Sequence, residues 1–360
     1  MKLIFSGPVN SLSFGNVTIN ILRVLWKRGV ELTFFPIGNH LDFKAFDKVD
    51  KDFAKWLADA AQNRLRNFKR DIPSIRLWHL NGSEQKHADQ QYLVTFYEMN
   101  APTVEERAVT AFQTKTLFSC KSAKQHFENM GLDNVENIPM GFDPDFKRSE
   151  KKFYPDEVIH FGLMGKWEKR KHTEKIIQLW AKKYGHMPNY RLSCCVVNPF
   201  YKSDQMNGVI SQALGGEKYT NINFLPYLTT NSEVNNYHNA IDIDLGGLSG
   251  GEGWNLPAFN STCLGKWSIV LNATAHKDWA TKDNSILVNP NGQTPAYDGI
   301  FFKEGTPFNQ GSIYTFDDEE VIAAFEAAEK KAKTVNENGV KLGKEFSYDR
   351  TVDEILSHVK

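Results

Sequence analysis

LGGLSGGEGWNLPAFNSTCLGKWSIVLN, residues 245–272, runs as strand, glycine-rich turn, helix start and second strand. The apolar run AIDIDLG feeds into it and WSIVL leads out, so two candidate strands enclose Gly246, Gly247, Gly250, Gly251 and Gly253. Residues 256–264 read as a helix beginning beside Pro257, where a missing amide proton costs little. Glu252 is the single carboxylate among the turn amides. Turn amides and a helix mouth attract phosphate, and a carboxylate accepts from sugar hydroxyls. The segment therefore suits a phosphorylated, hydroxyl-rich ligand. Glycines alone equally permit an ordinary strand-turn-helix connection.

Outward from this segment, strands and helices alternate. Upstream stand a short helix at 233–239, strands at 222–225 and 191–197, a helix at 173–184 and the strand IHFGLM, with a further helix at 201–213 left open. Downstream come a strand at 286–288, a helix from the pair Asp317 and Glu320 to about Val335, and a last helix at 351–359. The N-terminal half repeats the alternation. Strands are expected at 3–5, 30–36, 75–80, 92–97, 116–120 and 135–139, and helices at 17–26, 52–70 and 122–130. Thr103 and Glu106 have the spacing of a capping box before another helix. Such alternation predicts mostly parallel sheets covered on both faces, an α/β chain. The charged, proline-bearing connection at 147–157 divides it into a first domain, 1–150, and a second, 151–343, followed by a terminal segment, 344–360.

A second segment with chemistry in it is GKWEKRK, residues 165–171, directly after the strand IHFGLM. Cations beyond a strand end can neutralise a bound anion, although a solvated charged turn has the same composition. Asp242 and Asp244 alternate along one strand, so both carboxylates share a face.

EGWNLP (252–257) and GKWEKRK resemble the EGxGLPxxE donor-sugar loop and the GR-x4-K stretch of the retaining family-4-like (group 1) glycosyltransferases. IPMGFDPDF (138–146) resembles that family's IPNGVDxxxF passage, adding Gly141 and Asp143 to the match. The resemblance implies the GT-B fold: two Rossmann-like doubly wound domains facing a central cleft, with the terminal helix crossing back to the first. It implies a nucleotide-diphosphate sugar as donor, a UDP-sugar by expectation, and an acceptor hydroxyl, on a glycan, lipid-linked sugar or small molecule, attacking on the face that the leaving group vacates. It implies donor contacts from Gly15 and Asn16 in the first loop, from Lys166 and Lys171, and from Glu252, Gly253, Trp254, Asn255, Leu256 and Asn260. Glu252, Lys166, Lys171 and Glu98 are the catalytic expectation. The acceptor side is expected at His79, Tyr97 and Glu98, and His276 stands after the following strand.

The chain departs from the family at four places. Lys166 takes the arginine position, Asn255 the second loop glycine, Asn260 the second glutamate, and Tyr97-Glu98 the usual histidine and acid. A lysine loses the bidentate fork but keeps the charge, whereas an amide at 260 accepts a ribose hydroxyl without charge. No metal and no cofactor beyond the donor is expected.

Residue totals limit the alternatives. The 360 residues suffice for two α/β domains, and 43 basic against 43 acidic residues give no general pull toward nucleic acid. A local basic face of Lys121, Lys124, Lys147, Arg148, Lys151 and Lys152 keeps open a DNA glycosyltransferase acting on hydroxymethylated pyrimidines. A non-catalytic carbohydrate- or nucleotide-binding protein is the further alternative. No run approaches a membrane span, and four cysteines without ligand spacing suit a reducing compartment. The expected location is cytoplasmic, in a host cell if the chain is virus-encoded.

Overall fold

The computed structural model describes residues 1–151 and 153–359. Its first sheet contains β1 (Lys2–Pro8), β2 (Glu31–Ile37), β3 (Ser74–Leu77), β4 (Gln91–Thr95), β5 (Lys115–Phe118) and β6 (Val135–Asn137), in the order β2-β1-β3-β4-β5-β6. The second contains β7 (Ile159–Met164), β8 (Tyr190–Cys195), β9 (Ile222–Phe224), β10 (Ile243–Gly247), β11 (Trp267–Leu271) and β12 (Ser285–Val288), in the order β12-β11-β10-β7-β8-β9. Every neighbouring pair in both sheets is parallel. Parallel strands need covered crossovers, which is why the inner strands read as unbroken apolar runs.

The first lobe's helices are α1 (Ser13–Lys27), α2 (Lys51–Gln62), α3 (Arg64–Asn67), α4 (Val104–Phe112) and α5 (Lys121–Glu128). The second lobe adds α6 (Thr173–Tyr184), α7 (Ser203–Ala213), α8 (Asn231–Ala240), α9 (Leu256–Cys263), α10 (Asp318–Glu329) and α11 (Glu337–Glu345). The last, α12 (Tyr348–His358), returns to the first lobe. There Arg28 of α1 meets Asp353 at 2.7 Å, and the Thr351 hydroxyl donates to the Pro139 carbonyl at 2.8 Å. One apolar core runs beneath both lobes, joining Phe5, Leu22 and Phe34 to Trp254, Phe259, Trp279 and Tyr348. Among the described residues no helix is long and apolar enough to cross a membrane.

Three expectations about local structure are corrected. The helix expected over 52–70 breaks at Asn63, which leaves α2 and the short α3. The long helix expected to reach Val335 stops at Glu329, and Asn336 caps a separate α11 by accepting from the Gly339 amide. Asp317 and Glu320 do not cap α10 with their side chains. Asp317 accepts from the Asn291 amide group, and Glu320 accepts from the Asn289 backbone at 2.8 Å.

Those two carboxylates secure an antiparallel hairpin, β13 (Gly292–Pro295) and β14 (Ser312–Thr315), whose loop reaches the first lobe. Ala296, Phe302 and Ile313 are buried there with Tyr97, Phe118 and Phe127. The Thr103 hydroxyl donates to the Pro307 carbonyl at 2.5 Å, and the Asn309 amide donates to Glu106 at 2.7 Å. GQTP carries no alternating apolar pattern, so the pairing depends on these distant contacts.

Candidate active site

Strand order reverses between β1 and β3 in the first sheet and between β7 and β10 in the second, and loops at such points leave a crevice at the strands' carboxyl ends. Here the two crevices open onto a shared cleft of about 400 Å³. The first lobe lines it from the loop after β1, from Trp78 and His79 after β3, and from Phe96 and Glu98 after β4. The second lobe presents Gly165, Lys166, Arg170 and Lys171 after β7, and Glu252 with the start of α9 after β10. The two sharp sequence segments therefore lie side by side. Their backbones are joined where the Gly250 amide donates to the Arg170 carbonyl at 2.7 Å.

Glu252 is the centre of the charge arrangement. Lys171 donates to its Oε1, and Arg170 Nη1 stands 3.1 Å from the same oxygen. Burial opposes ionisation of this carboxyl, but Lys171 and Arg170 outweigh it and hold the pKa near 2. Arg170 also lies 3.4 Å from Glu98 and donates to the Gly251 carbonyl at 2.7 Å. Its Nε is 2.9 Å from Glu168 Oε2, an ion pair whose N–H is not aligned for a hydrogen bond. Glu98 is pushed up by burial, with Arg170 opposing and Glu252 and Glu168 reinforcing the shift. Lys166 remains more open, 3.7 Å from Glu168 and over the Phe301 ring.

The glycines of the turn answer a packing requirement. A Cβ at Gly250 would meet the Tyr314 carbonyl of β14 at 2.3 Å, and one at Gly253 would meet Phe96 of the first lobe at 2.7 Å. Their absent side chains let the hairpin and the opposite lobe close on the loop. Ser119 of the first lobe completes that contact by donating to the Gly253 carbonyl at 2.6 Å. Asn255, standing where the family has glycine, adopts φ 64° and ψ 64°. Asparagine tolerates this left-handed region better than most residues. Its side-chain amide donates to the Gly246 carbonyl at 2.8 Å and to His276 Nε2 at 2.9 Å, and the free end of α9 then faces the cleft.

Other expected residues divide between cleft and interior. Asn16, Leu256 and Asn260 line the cleft, as does Asp143, whose amide donates to Asn260 Oδ1 at 3.4 Å. Burial and Asp145 push the Asp143 carboxyl up to about 6. Gly15 instead supports the first loop from behind, where a Cβ would strike the Asn10 carbonyl at 2.3 Å. The Trp254 ring packs on Phe259 and Phe346, leaving its backbone to the cleft wall. His79 is open to the cleft. Enclosure by protein, then Lys166 and Arg170, lower its pKa to about 4. Tyr97 does not reach the cleft: its hydroxyl donates to Glu106 Oε2 at 2.9 Å in the core beneath, because it points to the opposite face of the chain from Phe96 and Glu98. His276 is buried and kept neutral by burial, with Nδ1 on the Leu271 carbonyl.

Asp242 and Asp244 do not act together. Asp242 pairs with Lys333 at 2.8 Å, whereas Asp244 is enclosed in the sheet with neither oxygen in a hydrogen bond of good geometry. Among the described residues no three histidine, cysteine or acidic groups are gathered as a metal site. Of the basic residues considered for DNA, Lys124 pairs with Glu128 and Glu136, Arg148 pairs with Glu150, and Lys152 lies outside the described residues.

Sequence reasoning missed Arg170, Glu168 and the hairpin. GKWEKRK carried a hint, since a solvated charged turn has no need of a tryptophan; Trp167 and Arg170 are both buried. Which of three adjacent cations turns inward depends on carboxylates at positions 98 and 252, and local spacing does not encode that.

Neither a protein-family model nor a curated protein matches this sequence. Solved structures do resemble it in shape. Sucrose-phosphate synthase from Thermosynechococcus elongatus superposes with a TM-score of 0.70 at 11% identity, over 99% of this chain and 98% of that one. A glycosyltransferase from Rickettsia africae gives 0.67 at 12%, over 99% and 97%. Anabaena HepE, solved in complex with UDP-glucose, gives 0.62 at 12%, over 100% of both chains. With two doubly wound parallel sheets, a cleft between them, a returning terminal helix and full-length correspondence to these enzymes, the chain has the GT-B fold.

Proposed function

We propose that this protein is a retaining glycosyltransferase that moves a sugar from a nucleotide-diphosphate donor, a UDP-sugar, to an acceptor hydroxyl. The observation that carries the reading is the meeting of Lys171, Glu252 and the α9 N-terminus at one end of the cleft. Lys166, Lys171 and that helix end receive the diphosphate, whose charge rises as the bond from the anomeric carbon to the phosphate oxygen breaks. Glu252, ionised at any working pH, holds a donor-sugar hydroxyl. The backbones of Gly253, Trp254 and Asn255 border the sugar. Asn260, with Asp143 beside it, takes the ribose.

Residues 1–150 then form the acceptor lobe, 151–343 the donor lobe, and 344–360 the segment that ties the second to the first. Glu98 orients the acceptor hydroxyl. As the new bond to the anomeric carbon forms on the face the leaving group vacates, the hydroxyl proton passes to the departing phosphate oxygen. No divalent ion enters this scheme, because fixed cations and the helix terminus occupy its electrostatic role. The resemblance to enzymes named for sugar transfer supports the reaction class, and the UDP-glucose complex of HepE supports the donor class.

Native mass spectrometry of the protein with pooled nucleotide sugars tests the reading. Retention of a UDP-sugar, followed by a product with the donor's anomeric configuration, is expected. Failure to retain any nucleotide sugar would refute the reaction class, and an inverted product would refute the stereochemistry.

A further inference from the structure

We infer that the acceptor is an uncharged pyranoside, seated with one ring face on an aromatic wall of the first lobe; this rests on the transferase reading above. The wall is assembled from three separate strand ends. Phe14 opens α1, Trp78 and His79 follow β3, and Phe96 follows β4, all bordering the cleft. Phe14 is the buried hub, its ring centroid 4.4 Å from His79, 5.0 Å from Phe96 and 5.6 Å from Trp78 at interplanar angles of 50°, 86° and 54°, and the more exposed Trp78, His79 and Phe96 border the cleft around it.

The loop that carries Trp78 and His79 is braced by its own following residues. The Ser83 hydroxyl donates to the His79 carbonyl at 2.6 Å, and Gly82, at φ 90°, lies against the Trp78 indole, where a Cβ would be 3.0 Å from Nε1. Such bracing is what a preformed binding face requires. A pyranose presents a face of C–H groups and an edge of hydroxyls. The C–H face, with its slight positive charge, suits the negative face of aromatic rings. The hydroxyl edge suits neutral His79 and Glu98, which together offer donor and acceptor positions.

The charge distribution selects against an anionic acceptor. Among the described residues the cations bordering the cleft are Lys166, Arg170 and Lys171, all from the second lobe. Arg170 is engaged by three carboxylates and Lys171 by Glu252. A phosphate on the first-lobe side would meet Glu98, and the cation nearest the wall, Lys166, lies 3.7 Å from Glu168 and is assigned to the donor diphosphate. A nucleobase could also lie on aromatic rings, but its strand would bring several phosphodiesters to a wall whose own residues, Phe14, Trp78, His79 and Phe96, include no lysine or arginine.

The test measures acceptor binding in the presence of UDP by titration calorimetry. The probes are methyl glucoside, galactoside and mannoside, the matching 6-phosphates, and a hydroxymethylcytosine oligonucleotide. At least one methyl pyranoside should bind roughly tenfold more tightly than its 6-phosphate, with little change from about 50 mM to about 300 mM salt. Trp78→Leu should weaken that pyranoside about tenfold and leave UDP affinity within about a factor of two, and Trp78→Phe should recover part of the loss.

Tighter binding of a sugar phosphate or of the oligonucleotide would overturn the inference. So would UDP binding with no pyranoside binding, or pyranoside affinity indifferent to Trp78→Leu in a protein with unchanged circular dichroism. Absence of UDP binding to the parent protein would overturn the transferase reading and this inference with it.

Discussion

Arg170→Met should be the most damaging single change near the cleft that removes no group assigned to the donor. The substitution keeps much of the buried stem and deletes a guanidinium that lies within 3.4 Å of Glu98, 2.9 Å of Glu168 and 3.1 Å of Glu252. Glu252 retains Lys171, and Glu168 retains Lys166 at 3.7 Å, but among the described residues Glu98 keeps no ion pair at its carboxylate. Breaking a buried ionic group in this way costs about 3–5 kcal/mol. For a domain of roughly 150–250 residues each kcal/mol moves the melting midpoint by about 2–4 °C, so the loss at pH 7 should be on the order of 10 °C. Protonation of the stranded Glu98 relieves the penalty, and the deficit should shrink on acidification to about pH 5. Differential scanning calorimetry of parent and variant at both pH values measures this. A deficit below about 3 °C at pH 7, or one equal at the two pH values, would refute the claim that Arg170 neutralises buried charge.

Asp244 sits with its carboxyl pushed up to about 7 by burial, the Gly246 amide, Lys171 and Ser268 only partly offsetting it. Its folded pKa exceeds the unfolded one, so its stabilising contribution is complete below about pH 4 and is lost as pH rises toward 7, by on the order of 4 kcal/mol in total. Asp244→Asn should therefore melt above the parent at pH 8, with the gap closing toward pH 5; a gap constant with pH would contradict this. Tyr97→Phe should cost about 1 kcal/mol of stability through the lost bond to Glu106 and leave kcat unchanged, and a large fall in kcat would place Tyr97 in the reaction after all. Glycosyl transfer should survive exhaustive chelation, and loss restored only by a divalent ion would overturn the assignment of the diphosphate to fixed cations.

The α/β alternation was legible because inner parallel strands are apolar on both faces and helices are not, a difference that local composition records. EGWNLP and GKWEKRK were likewise legible as neighbours once each was placed after a strand. The reason for the glycines was not legible: Gly250 and Gly253 are small because β14 and Phe96 press on them from distant parts of the chain. Period-two alternation, applied strictly, would have separated Tyr97 from Phe96 and Glu98, since neighbouring side chains on extended backbone face opposite ways. The hairpin stayed hidden because short strands such as GQTP have no pattern of their own and are held by Asp317, Glu320 and the first lobe.

The central claim is that the loops after β7 and β10 form one nucleotide-sugar cavity. A crystal structure of the complex with UDP-glucose tests it most directly. The diphosphate is predicted within about 3.2 Å of Lys171 Nζ and at the α9 N-terminus, with a glucose hydroxyl on Glu252. UDP-glucose ordered elsewhere, with Lys171 and Glu252 still bound only to each other, would contradict the account.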